Sequence, residues 1–282
     1  MKHPIHIVRP VNLLLIVFTM FVVVFKYRDE TNSQYWLQAF YLIAAATLTA
    51  AAGYVINEIM DVDTDAINKP NDCIVGKSLS KTNAWLLYGL LSTVSLFIAY
   101  LFSEVFLMLN LCITVILYLY AYMLKGMPLI GNIMVAVCSA AVIACCILLI
   151  AFETEAAGFN FIGYIVFAFV ISLIREIVKD IQDIEGDQAV GLKTYPIVFG
   201  ITGAKIMIYI LTGIEIVVCA LYAFLAWGLD LYLASIFMGL ITVLLLLFIN
   251  HISKTHQKHE FQVSSKWLKY IMFAGVITLI FA

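Results

Sequence analysis

Two runs of oxygen-bearing side chains stand where long apolar segments end. The first is Asn57-Glu58-Ile59-Met60-Asp61-Val62-Asp63-Thr64-Asp65, continuing to Asn68-Lys69-Pro70. The second runs from Arg175-Glu176 through Lys179-Asp180-Ile181-Gln182-Asp183 to Glu185-Gly186-Asp187. Asn57, Asp61 and Asp65 fall at i, i+4 and i+8, so a helix would present them on one face and turn Asp63 outward. Asp180, Asp183 and Asp187 fall at i, i+3 and i+7 and share a face if helix persists to that point. Carboxylates held ~5 Å apart at an effective dielectric near 20 repel by about 3 kcal/mol. Helix C-terminal ends disfavour anions as well. Such an arrangement asks for a cation. An all-oxygen set without His or Cys suits a hard ion, and Mg²⁺ characteristically bridges one or two carboxylates to phosphate oxygens. Either run alone could be a charged loop balanced by lysines; two runs, each fused to an apolar segment, favour the metal.

Basic residues accompany the acids. Lys125, Arg175, Lys179 and Lys193 could neutralise diphosphate oxygens that a metal leaves uncovered. Any one of them could equally anchor a helix end at the membrane surface. Asn132, just after Gly131, is a polar residue inside an apolar run and suits either the diphosphate or a helix-packing hydrogen bond. His251, His256 and His259 read as solvated loop residues.

The elements that must position these groups are membrane helices. Of 282 residues, 64% are hydrophobic and 12% charged, and the mean hydropathy is +1.03. A soluble domain would carry about twice that charge fraction. A net charge of −2 offers no basic patch for nucleic acid. The cysteines show no metal or redox spacing and read as small hydrophobes. Apolar runs near 10–27, 35–60, 82–102, 104–124, 130–152, 159–182, 202–227, 230–250 and 264–282 predict an all-α integral membrane protein. Its nine transmembrane helices would form one bundle with a central cavity, a single domain over 1–282. The first run has no cleavage site and reads as a retained helix. Polar linkers are expected at 61–81, 183–201 and 251–263. With the N-terminus cytoplasmic, Lys2, Arg9, Lys69, Lys77, Lys125, Lys179 and Lys193 lie inside and only Lys26 and Arg28 outside. That bias orients the chain in a plasma membrane with both acidic runs facing the cytoplasm.

The motifs resemble those of the UbiA superfamily of intramembrane prenyltransferases. Asn57-Glu58, Asp61, Asp65 and Asn68-Lys69-Pro70 match the family's first motif. Asp183 and Asp187, ahead of Gly191-Leu192-Lys193-Thr194, match its second. The second run, Arg9-Pro10-Val11-Asn12 and Leu124-Lys125 with Pro128, Gly131 and Asn132 are similar to the digeranylgeranylglyceryl phosphate synthase branch. The resemblance implies Mg²⁺-dependent transfer of a polyprenyl group, on this branch geranylgeranyl, from its diphosphate to the hydroxyl of a prenylglyceryl phosphate in ether-lipid synthesis. It implies Asn57, Asp61, Asp65, Asp183 and Asp187 as the catalytic set. Asp61, Asp65, Asp180, Asp183 and Asp187 would face the metal, and Lys125, Arg175, Lys179, Lys193 and Asn132 the diphosphate. The partners expected are a polyprenyl diphosphate, a lipid-phosphate or aromatic acceptor, and membrane lipids. Glu58 departs from the family's usual Asp, and Asn71-Asp72 stand where relatives commonly place an Arg. An aromatic acceptor, as in quinone or haem side-chain synthesis, is the alternative within the family. A cation transporter is the alternative outside it, but transporter charges sit near the bilayer midplane at broken helices rather than at helix ends.

Overall fold

The computed structural model describes residues 3–152 and 154–281, so Lys2 lies outside the described residues. Among the described residues ten α-helices follow in chain order: α1 (Pro10–Lys26), α2 (Tyr35–Met60), α3 (Val62–Asn68), α4 (Lys81–Phe102), α5 (Glu104–Tyr122), α6 (Ile130–Ala144), α7 (Glu155–Ala189), α8 (Tyr195–Gly228), α9 (Tyr232–Lys254) and α10 (Lys258–Phe281). Among the described residues eight helices are long and apolar enough to cross a membrane, and α1 adds a shorter apolar one. The architecture is all-helical, the form in which a single segment satisfies its own backbone in lipid. The protein is an integral membrane protein.

Two expected linkers are shorter than hydropathy suggests, and the third, 61–81, contains the short helix α3. Helix α7 continues to Ala189, α9 continues to Lys254, and α10 restarts at Lys258. Hydropathy fades at these ends, but Glu, Gln, Lys and Asp do not break a helix. At 35 residues α7 is ~52 Å long, far beyond the ~30 Å of a hydrocarbon core. Its polar last turns therefore extend past the apolar part.

The chain divides into two compact units. The first comprises residues 1–127, 144–151 and 185–192 and is organised around α2. Small residues along Ala44-Ala45-Ala46 and Ala50-Ala51-Ala52-Gly53 let neighbouring helices approach closely; a Cβ on Gly53 would lie 2.9 Å from the Leu117 side chain of α5. A buried relay joins three helices. Thr49 Oγ1 donates to Asn110 Oδ1 (2.8 Å), Asn110 Nδ2 to Ser95 Oγ (2.8 Å), and Ser95 Oγ to the Ala45 carbonyl (2.8 Å). Ser80 and Ser103 cap α4 and α5 by accepting from the amides of Asn83 and Phe106. This frame fixes the end of α2, where the first acidic run begins.

The second unit comprises residues 128–143, 152–184 and 193–282. Helix α9 packs between α8 and α10. Gly275 of α10 lies against the Phe167 ring of α7, where a Cβ would fall 2.3 Å from a ring carbon. Gln182 Nε2 on α7 also donates to the Phe261 carbonyl of α10 (3.1 Å). Gly200, with φ 72°, kinks α8 after its first turn, a conformation open to glycine at little cost.

Helix α8 carries one group at odds with its surroundings. Glu215 is fully buried, and neither carboxyl oxygen has a hydrogen-bond partner. Burial without a partner costs about 1–3 kcal/mol. Glu215→Met should therefore raise thermal stability in detergent by about that amount, read as a higher unfolding midpoint. An unchanged or lowered midpoint would show that a bound water or lipid satisfies the carboxyl.

Candidate functional site

The first acidic run folds with a bend. Helix α2 ends at Met60, Asp61 takes φ −89° and ψ 7°, and α3 begins at Val62. The i→i−4 ladder nonetheless passes through the junction. Asp61 N–H reaches the Asn57 carbonyl (2.8 Å), and Asp65 N–H the Asp61 carbonyl (2.7 Å). Asn57, Asp61 and Asp65 thus keep their helical stagger across the break, and Asp63 is exposed.

Protein cations already meet three of the carboxylates. Lys125 Nζ donates to Asp61 Oδ1 at 2.7 Å, with both side chains about four-fifths buried. Lys69 Nζ lies 3.7 Å from Asp65 Oδ1. Arg9 Nη2 donates to Glu58 Oε1 at 2.9 Å and stacks over the Tyr54 ring. Burial pushes the Asp65 carboxyl above its usual range; Glu58 and Asp61 add to this, and Lys69 and Lys125 oppose it. One oxygen is left over. Asn57 Oδ1 is buried and accepts no hydrogen bond.

The end of α7 joins this unit. Asn68 Oδ1, in the last turn of α3, accepts the Gly186 N–H at 3.0 Å. That single bond sets the start of the Asn-x-Pro stretch against the second acidic run, one residue from the buried Asp187. Gly186 permits it: a Cβ there would lie 2.4 Å from Asn68 Nδ2 and 2.7 Å from the Thr64 carbonyl. After the helix, Gly191 takes φ 80°, and Leu192 N–H returns to the Asp187 carbonyl (2.9 Å).

Asp180 and Asp183 lie on the same helix, in the second unit. There Asn132 Nδ2 donates to Asp180 Oδ2 at 2.8 Å. Of the two uses open to Asn132 in sequence, the structure shows a helix-to-helix hydrogen bond to a carboxylate. Lys179 and Arg175 are engaged as well. Lys179 Nζ contacts both oxygens of the buried Glu176 (2.9 and 2.7 Å), and Arg175 Nη1 reaches Glu176 Oε1 at 3.4 Å. Arg175 Nε remains buried without a partner. Lys193 is exposed in the α7–α8 linker, and Asp72 is exposed in the turn after Pro70.

Sequence reasoning placed Glu176, Arg9, Asn68 and Gly186 within its motifs but gave none of them a role in the site. Glu176 was detectable as a carboxylate at i−3 from Lys179. A glycine inside a polar helical run was the signal for close packing at Gly186. The Arg9–Glu58 pair spans 49 residues and had no local signal.

Among the described residues no three His, Cys, Asp or Glu side chains converge into a group that could hold a metal. What the first unit offers is a partial shell: the unsatisfied Asn57 oxygen, with Asp61 and Asp65 one and two turns away. Its donors are all hard oxygens, which fits Mg²⁺ completed by ligands from a phosphate.

Apolar helices of spanning length, with carboxylates and matching cations gathered at their ends, define a polytopic membrane protein with a polar helix-end site. The chain belongs to the UbiA prenyltransferase family, whose model matches residues 13–274. A digeranylgeranylglyceryl phosphate synthase of Methanobrevibacter smithii is 30% identical over 98% of this chain and 99% of that protein. The one of Thermococcus sibiricus is 39% identical over 56% of this chain, which there spans 55% of the relative's length. A UbiA homologue from Archaeoglobus fulgidus bound to GPP and Mg²⁺ shares the fold, with a TM-score of 0.64 at 19% identity over 99% of both chains.

Proposed function

We propose that the 282 residues act as one prenyltransferase domain. It would move a polyprenyl group, geranylgeranyl in the best-supported case, from its diphosphate to the hydroxyl of a prenylglyceryl phosphate. What carries this reading is the Asn68–Gly186 hydrogen bond, which gathers residues of both acidic motifs in one compact unit. Support for the acceptor comes from the full-length match to the M. smithii synthase. Support for the metal comes from the Mg²⁺ and GPP bound by the A. fulgidus homologue and from the all-oxygen donors here.

On this reading Asp61, Asp65, Asp183 and Asp187 hold the metal with Asn57, and Asp180, oriented by Asn132, supports them. Bound Mg²⁺ supplies charge neutralisation as the diphosphate departs. Lys125, Lys193, Arg175 and Lys179 stabilise the remaining diphosphate charge; the last two are held in readiness by Glu176. The allylic carbon, left electron-poor when the C–O bond opens, is sheltered by apolar helix surfaces that exclude water. The positive-inside pattern supports a plasma-membrane protein with N-terminus and acidic helix ends on the cytoplasmic side.

Purified protein in lipid nanodiscs should join radiolabelled geranylgeranyl diphosphate to geranylgeranylglyceryl phosphate, and the activity should vanish with EDTA and return with Mg²⁺ or Mn²⁺. Label appearing only on an aromatic acceptor would replace the ether-lipid reading with the quinone-type one. Full turnover after exhaustive chelation would remove the metal from the mechanism.

A further inference from the structure

The acidic run at the end of α2 was expected to need an added cation, yet the folded chain already brings its own. Asp61 has Lys125 at 2.7 Å and Asp65 has Lys69 at 3.7 Å. We propose that Lys125 and Lys69 are exchangeable counter-ions, holding Asp61 and Asp65 in place until Mg²⁺-diphosphate arrives and then passing from the carboxylates to the diphosphate oxygens. This rests on the prenyl-diphosphate reading and adds to it an order of events.

Three observations separate these lysines from ordinary structural ion pairs. First, the charge matches: two ammonium groups carry the charge of one divalent ion, so exchange leaves the balance at the carboxylates unchanged. Second, neither lysine is carried on a long helix. Lys125 sits in the short 3-10 turn Leu124–Gly126, and Lys69 follows the last residue of α3 with its side chain 45% exposed. Third, the neighbouring pair is built differently. Arg9 is fixed beside Pro10 with φ 51°, stacks on Tyr54 and holds Glu58. Glu58, at the position where relatives usually carry Asp, is on this account a fastened structural carboxylate. The lysines also leave one need unmet: neither ammonium bonds the buried Asn57 oxygen, which has no hydrogen-bond partner. A divalent ion is the species that would serve that oxygen together with the carboxylates.

Exchange makes a counter-intuitive demand. Removing a lysine should strengthen binding of the metal alone and weaken binding of metal with diphosphate. The full-length protein in detergent would be titrated with Mn²⁺, followed by electron paramagnetic resonance, with and without inorganic pyrophosphate. Lys125→Gln should bind Mn²⁺ alone about tenfold more tightly than wild type, because a competing ammonium is gone. The same variant should bind Mn²⁺-pyrophosphate about tenfold more weakly. Lys69→Gln, changed at an exposed position that does not threaten folding, should show the same pair of shifts at about two- to threefold. Unchanged or weaker Mn²⁺ binding in a folded Lys125→Gln, or in Lys69→Gln if the first variant does not fold, would overturn the exchange. If wild type binds no Mn²⁺ even with pyrophosphate, the metal-based function itself falls. Wild type that binds both while the variants fail to tighten sinks the exchange alone.

Discussion

Asp61→Asn and Asp187→Asn should each lower prenyl transfer by about a hundred- to a thousandfold, the scale seen when one charge-stabilising group is taken from a reaction centre. The two variants should part company in stability. Asp61 is the hydrogen-bonded partner of Lys125, so losing its charge leaves a largely buried ammonium without its carboxylate. A charge-assisted contact of this kind is worth about 1.5–3 kcal/mol; with Asp61 still 18% exposed, the lower end is expected. Simple electrostatics of the acidic run alone points the other way, since deleting one of several carboxylates relieves repulsion. The Lys125 contact reverses that sign. A lowered unfolding midpoint for Asp61→Asn, together with lost turnover in both variants, is the expected pattern. Near-normal turnover in both would reject the assignment of these acids to the reaction. A raised midpoint for Asp61→Asn would mean that Lys125 contributes less than the repulsion it offsets.

That reversal shows where sequence reading succeeded and where it stopped. The limits of α2, Tyr35–Met60, were legible because residues 39–56 form a largely apolar run and the charged and amide residues begin abruptly at Asn57, one turn before the helix ends. The carboxylates of the two motifs were legible because spacing along a helix is local information. Their partners were not. Lys125 meets Asp61 across 64 residues, and nothing in the composition near Asp61 announces it. The extent of α7 was misjudged for another reason: hydropathy detects the part of a helix that lies in lipid, and the last turns of α7 are helical without being apolar. Asn132 shows the remaining case. Both of its uses were open, and only the fold reveals that the amide meets Asp180.

Gly186 offers the most discriminating single substitution. In the interior of a helix, replacing Gly with Ala normally stabilises by about 0.5–1 kcal/mol, because the unfolded chain loses freedom and the helix gains propensity. Gly186 lies within α7 and should break that rule. A Cβ there would sit 2.4 Å from the Asn68 amide nitrogen and 2.7 Å from the Thr64 carbonyl oxygen. The Asn68 side chain could rotate away, at the cost of its hydrogen bond to Gly186 N–H; the Thr64 carbonyl belongs to the backbone of α3 and can yield only if the helix moves. Overpacking of this kind costs about 1–3 kcal/mol. More importantly, it would push α3, which carries Asp65, away from the turn of α7 that carries Asp187. Gly186→Ala should therefore lower the unfolding midpoint and reduce turnover by more than about tenfold, since sub-ångström placement of reacting groups is worth that much or more. Asn68→Ala separates the two contributions. It removes the side chain and its hydrogen bond but leaves the backbone approach intact, so its turnover should fall less than that of Gly186→Ala. Combined with Gly186→Ala, it should restore little, because the Thr64 clash persists. A Gly186→Ala protein with wild-type activity and a raised midpoint would show that the two acidic motifs do not depend on this contact, and would remove the observation on which the joint site rests.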